Sequence, residues 1–313
     1  MNKITVIGSG NVGSTIAYTL TIQGIASEIV MIDLNEEKSL GEALDIRQGV
    51  SFCSPASVYA GSYDDAKDSD IVVITSGMAR KPGQSRLDLA QANVDIIKSI
   101  ADKIVPVAPN ATYVIVSNPV DVLTYVFLKH TGLPQERVIG SGTVLDTARL
   151  RSRISEYYSV NQKNVHAYVL GEHGDSSFVP WSLANISNVP VETFKDAIQT
   201  KEAYPEFVLS EVEEYMRKSG ARIIQRKGAT FYAVSISVCH ICKCLLSGID
   251  TTLTVSTMLN GEYGIEDVCL SLLNVVGDKG AHAKIMLPLN DEELKALHNS
   301  AKVLKDLIAS LDI

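Results

Sequence analysis

The stretch Ile4-Thr5-Val6-Ile7-Gly8-Ser9-Gly10-Asn11-Val12-Gly13, followed about twenty residues later by Asp33, decides which fold this chain is expected to adopt. An apolar run leads into Gly8, a helix-forming segment follows Gly13, and a second apolar run ends at Asp33. The first glycine permits a tight turn, the second permits close approach of a pyrophosphate, and the third permits close packing of helix on strand. The helix N-terminus presents free N–H groups to phosphates. These features predict a dinucleotide-binding strand–helix–strand unit; the alternative is a glycine-rich turn that serves packing alone.

Asp33 stands where an acidic side chain accepts a hydrogen bond from a ribose 2′-hydroxyl. The same carboxylate would repel a 2′-phosphate, and the segment that follows, Leu34 to Glu37, contains no arginine. The sequence therefore favours NAD over NADP as the cofactor. The predicted cofactor-binding residues are Gly8, Gly10, Val12, Gly13 and Asp33.

Apolar strand-like runs alternate with helical segments through the first half of the chain. Such alternation indicates parallel strands that are covered by helices on both faces. We therefore expect an α/β fold with a Rossmann-type, doubly wound parallel sheet. The expected strands are 4–8, 29–33, 71–75, 113–117 and 138–140, and the expected helices are 14–23, 36–47, 87–102 and 120–130.

The second half of the chain has longer helical segments and fewer strands. This change predicts a second, α+β domain for the substrate, joined to the first by a continuous helix or a short turn near 143–158. We expect an NAD-binding domain at 1–142 and a substrate-binding, catalytic domain at 143–313. In the second half, the expected strands are 165–170, 252–259 and 284–287, and the expected helices are 206–227, 229–246 and 291–310.

The composition argues against several classes of function. A formal net charge of −8 over 313 residues disfavours binding to nucleic-acid phosphates. The apolar runs have the length of strands, well below the about 20 residues that a membrane span needs. The N-terminus leads directly into a strand and has no secretory signal pattern. Five cysteines, an odd number, are typical of reduced thiols, so a cytoplasmic protein is expected.

The segment Cys239-His240-Ile241-Cys242-Lys243-Cys244 contains the residue types of a metal site. It lies in an apolar, helix-forming stretch, and a zinc site would normally need a second ligand pair at a recognisable spacing. Cysteine is also a common small, buried side chain. We therefore expect no metal.

Four further segments carry groups suited to hydride transfer between a hydroxy acid and a nicotinamide. That reaction needs a base for the hydroxyl proton, a cation for the carboxylate, a donor for the carbonyl oxygen and an acid that orients the base. Histidine suits the proton step near neutral pH. Taken alone, His173 is more often a core histidine, and a basic loop is more often merely solvated. The segments are the loop 75–86 with Arg80 and Arg86, Ser117-Asn118-Pro119, Leu145-Asp146-Thr147-Ala148-Arg149 and Gly171-Glu172-His173-Gly174-Asp175.

Taken together, these segments resemble the NAD-dependent L-lactate and L-malate dehydrogenase family, and the resemblance covers essentially the full length of the chain. The motifs that carry it are GSGNVG, KPGQSRLDL, VSNPVD, SGTVLDTARLR and GEHGD, together with Asp33.

The resemblance implies a role for each matching residue. His173 would donate and accept the proton, and Asp146 would orient it. Arg149 would grip the substrate carboxylate, since a planar guanidinium suits two parallel hydrogen bonds. Arg86 would polarise the reacting carbonyl. The remaining implied site residues are Asn118, which would contact both the cofactor and the substrate near the nicotinamide, and Thr230, which would line the pocket.

The sequence leaves the choice between lactate and malate open. The family's selecting position, six residues before Arg86, is usually glutamine in lactate enzymes and arginine in malate enzymes. Here it is Arg80, which would pair with the second carboxylate of oxaloacetate and stay unpaired beside the methyl group of pyruvate. Glu172, Thr230 and the SGTVLD and NPVD motifs resemble the lactate enzymes. L-Lactate dehydrogenase is therefore the main expectation and L-malate dehydrogenase the alternative.

Arg151 and His166 match two positions at which bacterial lactate dehydrogenases bind fructose 1,6-bisphosphate at a subunit interface. On a two-fold axis, two cations become four that face a bisphosphate. The resemblance thus implies an allosteric site and a homotetramer, or a dimer that becomes one, with the bisphosphate favouring the active form. In the alternative interpretation, Arg151 pairs with Glu156 and His166 caps a strand.

An interpretation from another class is an NAD-binding protein that has kept the fold and lost turnover. Loss of His173, Arg149 or Arg86 would have indicated it, and all three are present. An enzyme is therefore expected.

Overall fold

A computed structural model describes residues 2–78, 86–199, 204 and 206–313, without the side chain of Arg86. The strands are β1 Lys3–Ile7, β2 Glu28–Ile32, β3 Ser57–Ala60, β4 Ile71–Ile74, β5 Thr112–Ile115, β6 Val138–Gly140, β7 Val165–His166, β8 Asn185–Ile186, β9 Val189–Pro190, β10 Thr251–Leu253, β11 Ser256–Asn260, β12 Glu266–Ser271, β13 Asn274–Gly277 and β14 Gly280–Lys284. The helices are α1 Asn11–Gln23, α2 Glu36–Gly49, α3 Arg86–Ile104, α4 Val120–Thr131, α5 Val144–Tyr158, α6 Phe194–Ala197, α7 Leu209–Lys227, α8 Tyr232–Leu245 and α9 Asp291–Ala309.

The main sheet has eight strands in the order β12-β11-β6-β5-β4-β1-β2-β3. The six strands from β6 to β3 are parallel, and their order is that of two βαβαβ halves side by side. The order reverses between β1 and β4, where such sheets bind ligands beyond the carboxyl ends of the strands. β11 and β12 extend this sheet in antiparallel pairing.

Successive side chains of the central strands point to opposite faces of the sheet and pack into two separate hydrophobic cores. In β1, Ile4 and Val6 pack towards α1, α2 and α8, whereas Ile7 packs towards α3, α4 and α9. Both faces of the sheet are therefore apolar, which explains why β1, β2 and β4 appear in the sequence as continuous hydrophobic runs. This arrangement confirms the expected α/β class and the doubly wound parallel sheet.

A third core lies in the second half of the chain. Leu150, Ile154 and Tyr158 of α5 pack with Val212 and Met216 of α7 and with the small sheet β7-β8-β9. A second small sheet has the order β10-β13-β14. Among the helices of the described ranges, none is both long and apolar enough to cross a membrane.

Several expected strand limits are wrong. The strand expected at 284–287 is in fact β14, which ends at Lys284, and the one expected at 165–170 is reduced to β7. β3 and β12 were not expected at all, because they are the two edge strands of the sheet and carry exposed residues such as Ser57 and Glu266. An edge strand lacks the continuous apolar run that marks a central parallel strand. The short antiparallel β13 was missed as well.

Candidate active site

The glycine-rich turn between β1 and α1 fits a dinucleotide. A Cβ atom at Gly8, whose φ is +105°, would lie 2.6 Å from Thr75 Oγ1, and one at Gly13 would lie 1.7 Å from the Gly8 carbonyl oxygen. Both positions therefore need glycine. A Cβ at Gly10 would meet none of the described atoms within 4 Å, so the open space lies at the N-terminus of α1. Gly10 gives that helix no side-chain cap, which leaves the first-turn N–H groups to an anion.

Asp33 lies at the carboxyl end of β2 and closes the same turn. Its Oδ2 accepts from the Ser9 backbone N–H at 2.5 Å, and its Oδ1 accepts from that of Asn35 at 2.9 Å. A carboxylate has lone pairs for further donors, so this orientation suits the hydroxyls of a ribose. Val12 lies in the first turn of α1, and its carbonyl oxygen accepts from Ser235 Oγ at 3.2 Å.

His173, Asp146 and Arg149 form one connected group. His173 Nδ1 lies 2.6 Å from Asp146 Oδ2, and Arg149 Nη1 donates to Asp146 Oδ1 at 2.9 Å. Asp146 and Arg149 are three residues apart on α5, so they lie on one face of that helix. Because Nδ1 of His173 is engaged, Nε2 is the ring nitrogen left for proton exchange with a ligand.

The electrostatics of this group favour the imidazolium. Burial lowers the pKa of His173, but the charge and hydrogen bond of Asp146, with the charge of Asp121, outweigh burial and raise that pKa to about 9. Burial raises the pKa of Asp146, and the charges and hydrogen bonds of His173 and Arg149 reverse the sign, so that the pKa is lowered. At neutral pH the site therefore holds His173 as a positively charged imidazolium, which can donate a proton, beside the ionised carboxylate of Asp146.

Three elements hold the loop that carries His173. The backbone N–H of Gly171 donates to the Ser271 carbonyl of β12, and that of Glu172 donates to Ser300 Oγ of α9 at 2.7 Å. The backbone N–H of His173 itself donates to Asp121 Oδ2 of α4 at 2.8 Å. The histidine is thus fixed at its main chain as well as at its ring.

A buried asparagine, Asn93 of α3, joins two predicted site segments and was not expected from the sequence. Its Oδ1 accepts from the Met78 N–H at 2.7 Å, and its Nδ2 donates to the Asn118 carbonyl oxygen at 2.8 Å. Asn118 is exposed beyond the end of β5. Asn93 therefore connects the start of the basic loop to Asn118 through hydrogen bonds. The sequence around Asn93 contains no local pattern that indicates this connection.

The structure describes some, but not all, of the remaining residues predicted to bind the substrate. Arg80 lies outside the described residues, as does the side chain of Arg86, whose main chain begins α3. Thr230 is half-buried in the connection between α7 and α8. A Cβ at Gly220 of α7 would lie 3.5 Å from Arg149 Nη2, so α7 passes directly beside that guanidinium.

Arg151 and His166, the two residues assigned to an effector site, differ in exposure. Arg151 is half-buried, donates from Nε to the Ala167 carbonyl at 3.0 Å and has its guanidinium carbon 5.2 Å from the centre of the Tyr168 ring. His166 is exposed on β7. Glu156, the alternative partner for Arg151, is bonded to Arg153. A surface cavity of about 270 Å³ is lined in part by Arg151, Lys163 and Tyr168.

The cysteine-rich segment lies in α8, where its three cysteines are buried in the core and His240 and Lys243 are exposed. Cys239 Sγ donates to the Ile16 carbonyl at 3.6 Å, and burial raises the pKa of the Cys239 and Cys242 thiols. Protonated, buried thiols act as small apolar side chains. Over the described ranges, no three His, Cys, Asp or Glu side chains are grouped as a metal site requires.

Family models match nearly the whole chain. Residues 2–140 match the NAD-binding domain of lactate/malate dehydrogenases, and residues 143–311 match their α/β C-terminal domain. The chain belongs to the lactate/malate dehydrogenase family. Membership identifies it as an NAD-dependent dehydrogenase with NAD(H) as its cofactor, as the sequence predicts.

Relatives in this family align from end to end. An L-lactate dehydrogenase from Thermoanaerobacter sp. (strain X514) is 47% identical over 313 residues, which is all of both chains. A lactate dehydrogenase from a Medee basin deep-sea metagenome library has a TM-score of 0.94 at 39% identity, covering 99% of this chain and 98% of that one. The minor L-lactate dehydrogenase of Enterococcus mundtii, in a ligand-bound form, has a TM-score of 0.94 at 36% identity, covering 100% and 99%.

Proposed function

We propose that this lactate/malate dehydrogenase family member is an L-lactate dehydrogenase, which interconverts pyruvate and NADH with L-lactate and NAD. The observation that carries the proposal is the group of His173, Asp146 and Arg149, which combines an acid, its orienting carboxylate and a carboxylate-binding cation. End-to-end similarity to proteins named L-lactate dehydrogenase supports the choice of substrate. We assign cofactor binding to residues 1–142 and substrate binding and catalysis to 143–313.

In the proposed reaction, the chain's own residues bind the 2-oxo acid and move one proton. NADH, when bound at the turn of Gly8, Gly10, Val12 and Gly13, supplies the hydride. Arg149 holds the substrate carboxylate, and Asn118, Arg86 and Thr230 complete the pocket. His173 delivers the proton from Nε2 to the carbonyl oxygen, and it takes that proton back in the reverse direction.

Asp146 has two roles in this scheme. Its Oδ2 fixes the ring of His173, and its charge stabilises the imidazolium that must be present before reduction. Its Oδ1 positions Arg149 on the same helix face. A substrate carboxylate that binds Arg149 would therefore lie next to the proton donor.

L-Malate dehydrogenase is the second candidate, and the presence of Arg80 favours it. A charged hydrogen bond from Arg80 to the second carboxylate of oxaloacetate would be worth about 1.5–3 kcal/mol. The lactate-type residues Glu172 and Thr230 oppose this reading.

We further propose a homotetramer in the cytoplasm that binds fructose 1,6-bisphosphate through Arg151 and His166. The cavity beside Arg151 supports an anion site. An apolar groove also supports association of copies: Tyr18 and Ile22 of α1 and Tyr232 and Ile236 of α8 line it and are each half exposed or more.

The test is the initial rate of NADH oxidation with pyruvate and with oxaloacetate, each with and without fructose 1,6-bisphosphate. We expect pyruvate to have the higher kcat/KM and the bisphosphate to lower its KM. A higher kcat/KM for oxaloacetate would identify a malate dehydrogenase, and no turnover with either acid would indicate a silent NAD-binding protein. Sedimentation with and without the bisphosphate tests the tetramer, and an effect that persists in Arg151→Gln would exclude Arg151 from the effector site.

A further inference from the structure

Asp121 is a buried acidic residue that the proposed reaction does not use. It lies in the first turn of α4, three residues after Asn118, and is only 2% exposed. Its Oδ2 accepts the backbone N–H of His173 at 2.8 Å, across 52 residues of sequence. Its Oδ1 is buried and makes no hydrogen bond of good geometry with the described residues, although the buried Ser256 hydroxyl lies close enough to stabilise the carboxylate charge. Burying a carboxylate with so few hydrogen bonds costs free energy, so a purely structural role would be poorly served by an acid.

The surroundings of Asp121 make its charge matter to His173. The groups that interact with it are His173 and Glu172 of the histidine loop, Ser256 of β11 and Cys269 of β12. Of these, only His173 is cationic, and the Asp121 charge is one of the causes that raise the pKa of His173. Burial, the largest cause, raises the pKa of Asp121 itself to about 6. The charge of His173 opposes that rise, so the Asp121 carboxylate and the His173 imidazolium each favour the charged form of the other.

We propose that Asp121 is a positioning residue for His173: its carboxylate fixes the main chain of the histidine and its negative charge favours the protonated ring. Two carboxylates then act on one imidazole from different sides. Asp146 holds the ring at Nδ1, and Asp121 holds the backbone at N–H. Because Asp121 follows Asn118 by three residues, it also links the loop that carries Asn118 to the histidine. The inference rests on the proposed role of His173 as the acid–base group.

The test separates the charge from the hydrogen bond. Asp121→Asn keeps an oxygen that accepts the His173 N–H but removes the charge. Its new amide N–H can donate to the buried hydroxyl of Ser256. We expect the pH at which pyruvate reduction declines to fall by roughly half a unit or more, with NADH affinity unchanged. Asp121→Ala also removes the acceptor and should lower kcat by about tenfold or more, an effect that Asp121→Asn does not share.

Asp267→Asn is the matched control. Asp267 also contacts α4, through Lys129 Nζ at 2.6 Å and Tyr125 Oη at 3.3 Å, and asparagine tolerates its positive φ of 54°. This variant removes one negative charge near the same helix and should leave the pH profile unchanged.

Thermal unfolding identifies variants that fail to fold, in which case Asp121→Ser removes the same charge from a smaller side chain. An unchanged pH profile in the folded charge-removing variant would overturn the inference. The failure of the proposed function is distinguishable, because it appears as normal turnover in His173→Ala, whatever happens at Asp121.

Discussion

Asp146 Oδ2 lies 2.6 Å from Nδ1 of His173, and this contact joins helix α5 to a loop 27 residues further along the chain. The contact explains how a partly buried histidine keeps a positive charge, since the carboxylate offsets the cost of burial. It also sets the direction of the ring, because only Nε2 is left to meet a substrate.

The pH dependence of pyruvate reduction should follow the raised pKa of His173. The acid form is needed for reduction, so kcat/KM should be flat at neutral pH and fall about tenfold per unit above pH 9. Lactate oxidation needs the neutral form and should instead rise up to about pH 9 and then level off. Initial rates in both directions from pH 6 to 10 check this. A common inflection near the ordinary histidine pKa would contradict the role of Asp146.

Replacing the carboxylate of Asp146 should lower kcat and shift the pH dependence of pyruvate reduction. In Asp146→Asn, the imidazolium loses its charged partner, and a single amide oxygen replaces the two that accept from His173 and Arg149. We therefore expect kcat to fall at least about tenfold and the decline with pH to begin lower. Asp102→Asn is the matched control, because Asp102 forms a similar pair with His130 at 2.8 Å on the surface. Equal losses of kcat in the two variants would mean that the contact between Asp146 and His173 makes no specific contribution to turnover.

Cofactor choice should depend on Asp33. In Asp33→Asn, the charge that opposes a 2′-phosphate is gone, so kcat/KM with NADPH should rise about tenfold. NADH efficiency should fall, because an amide cannot accept from both Ser9 and Asn35 as the carboxylate does. Glu37→Gln removes a neighbouring charge as the control. If the control changes cofactor preference as much, general electrostatics and not the Asp33 contact selects NAD.

Substrate choice should depend on Arg80, although its position lies outside the described residues. Arg80→Gln should lower kcat/KM with oxaloacetate by roughly 10- to 100-fold, through loss of a charged hydrogen bond. The same change should raise kcat/KM with pyruvate, because a cation no longer has to lose its water beside a methyl group. Lys81→Gln is the control from the same loop. An unchanged ratio of the two efficiencies would leave selection to residues such as Thr230.

The parallel half of the fold is predictable from sequence because each central strand is buried on both faces. Runs such as Ile71–Ile74 have no exposed position to interrupt the pattern. The edge strand β12 begins with Glu266 and Asp267, so its pairing with β11 depends on contacts that the local sequence does not show.

The candidate site likewise has one part that is predictable from local sequence and another part that is not. The turn of Gly8 to Gly13 and the acid Asp33 are recognisable because their chemistry is local in sequence. The pairing of Asp146 with His173 follows only from family resemblance, because no spacing rule connects α5 to the later loop. Asp121 and Asn93 were missed, since a buried polar residue within a helix does not reveal which distant backbone group it contacts.

In the proposed reaction, His173 delivers the proton in NADH-dependent reduction of a 2-oxo acid. The most direct measurement is single-turnover oxidation of bound NADH by pyruvate in His173→Ala, with NADH affinity measured on the same sample. His130→Ala is the control, because it removes a surface histidine that also pairs with a carboxylate, that of Asp102. We expect a rate about 10²- to 10⁴-fold lower in His173→Ala, unchanged NADH binding and a normal control. A single-turnover rate near that of the unmodified enzyme would exclude His173 as the proton donor.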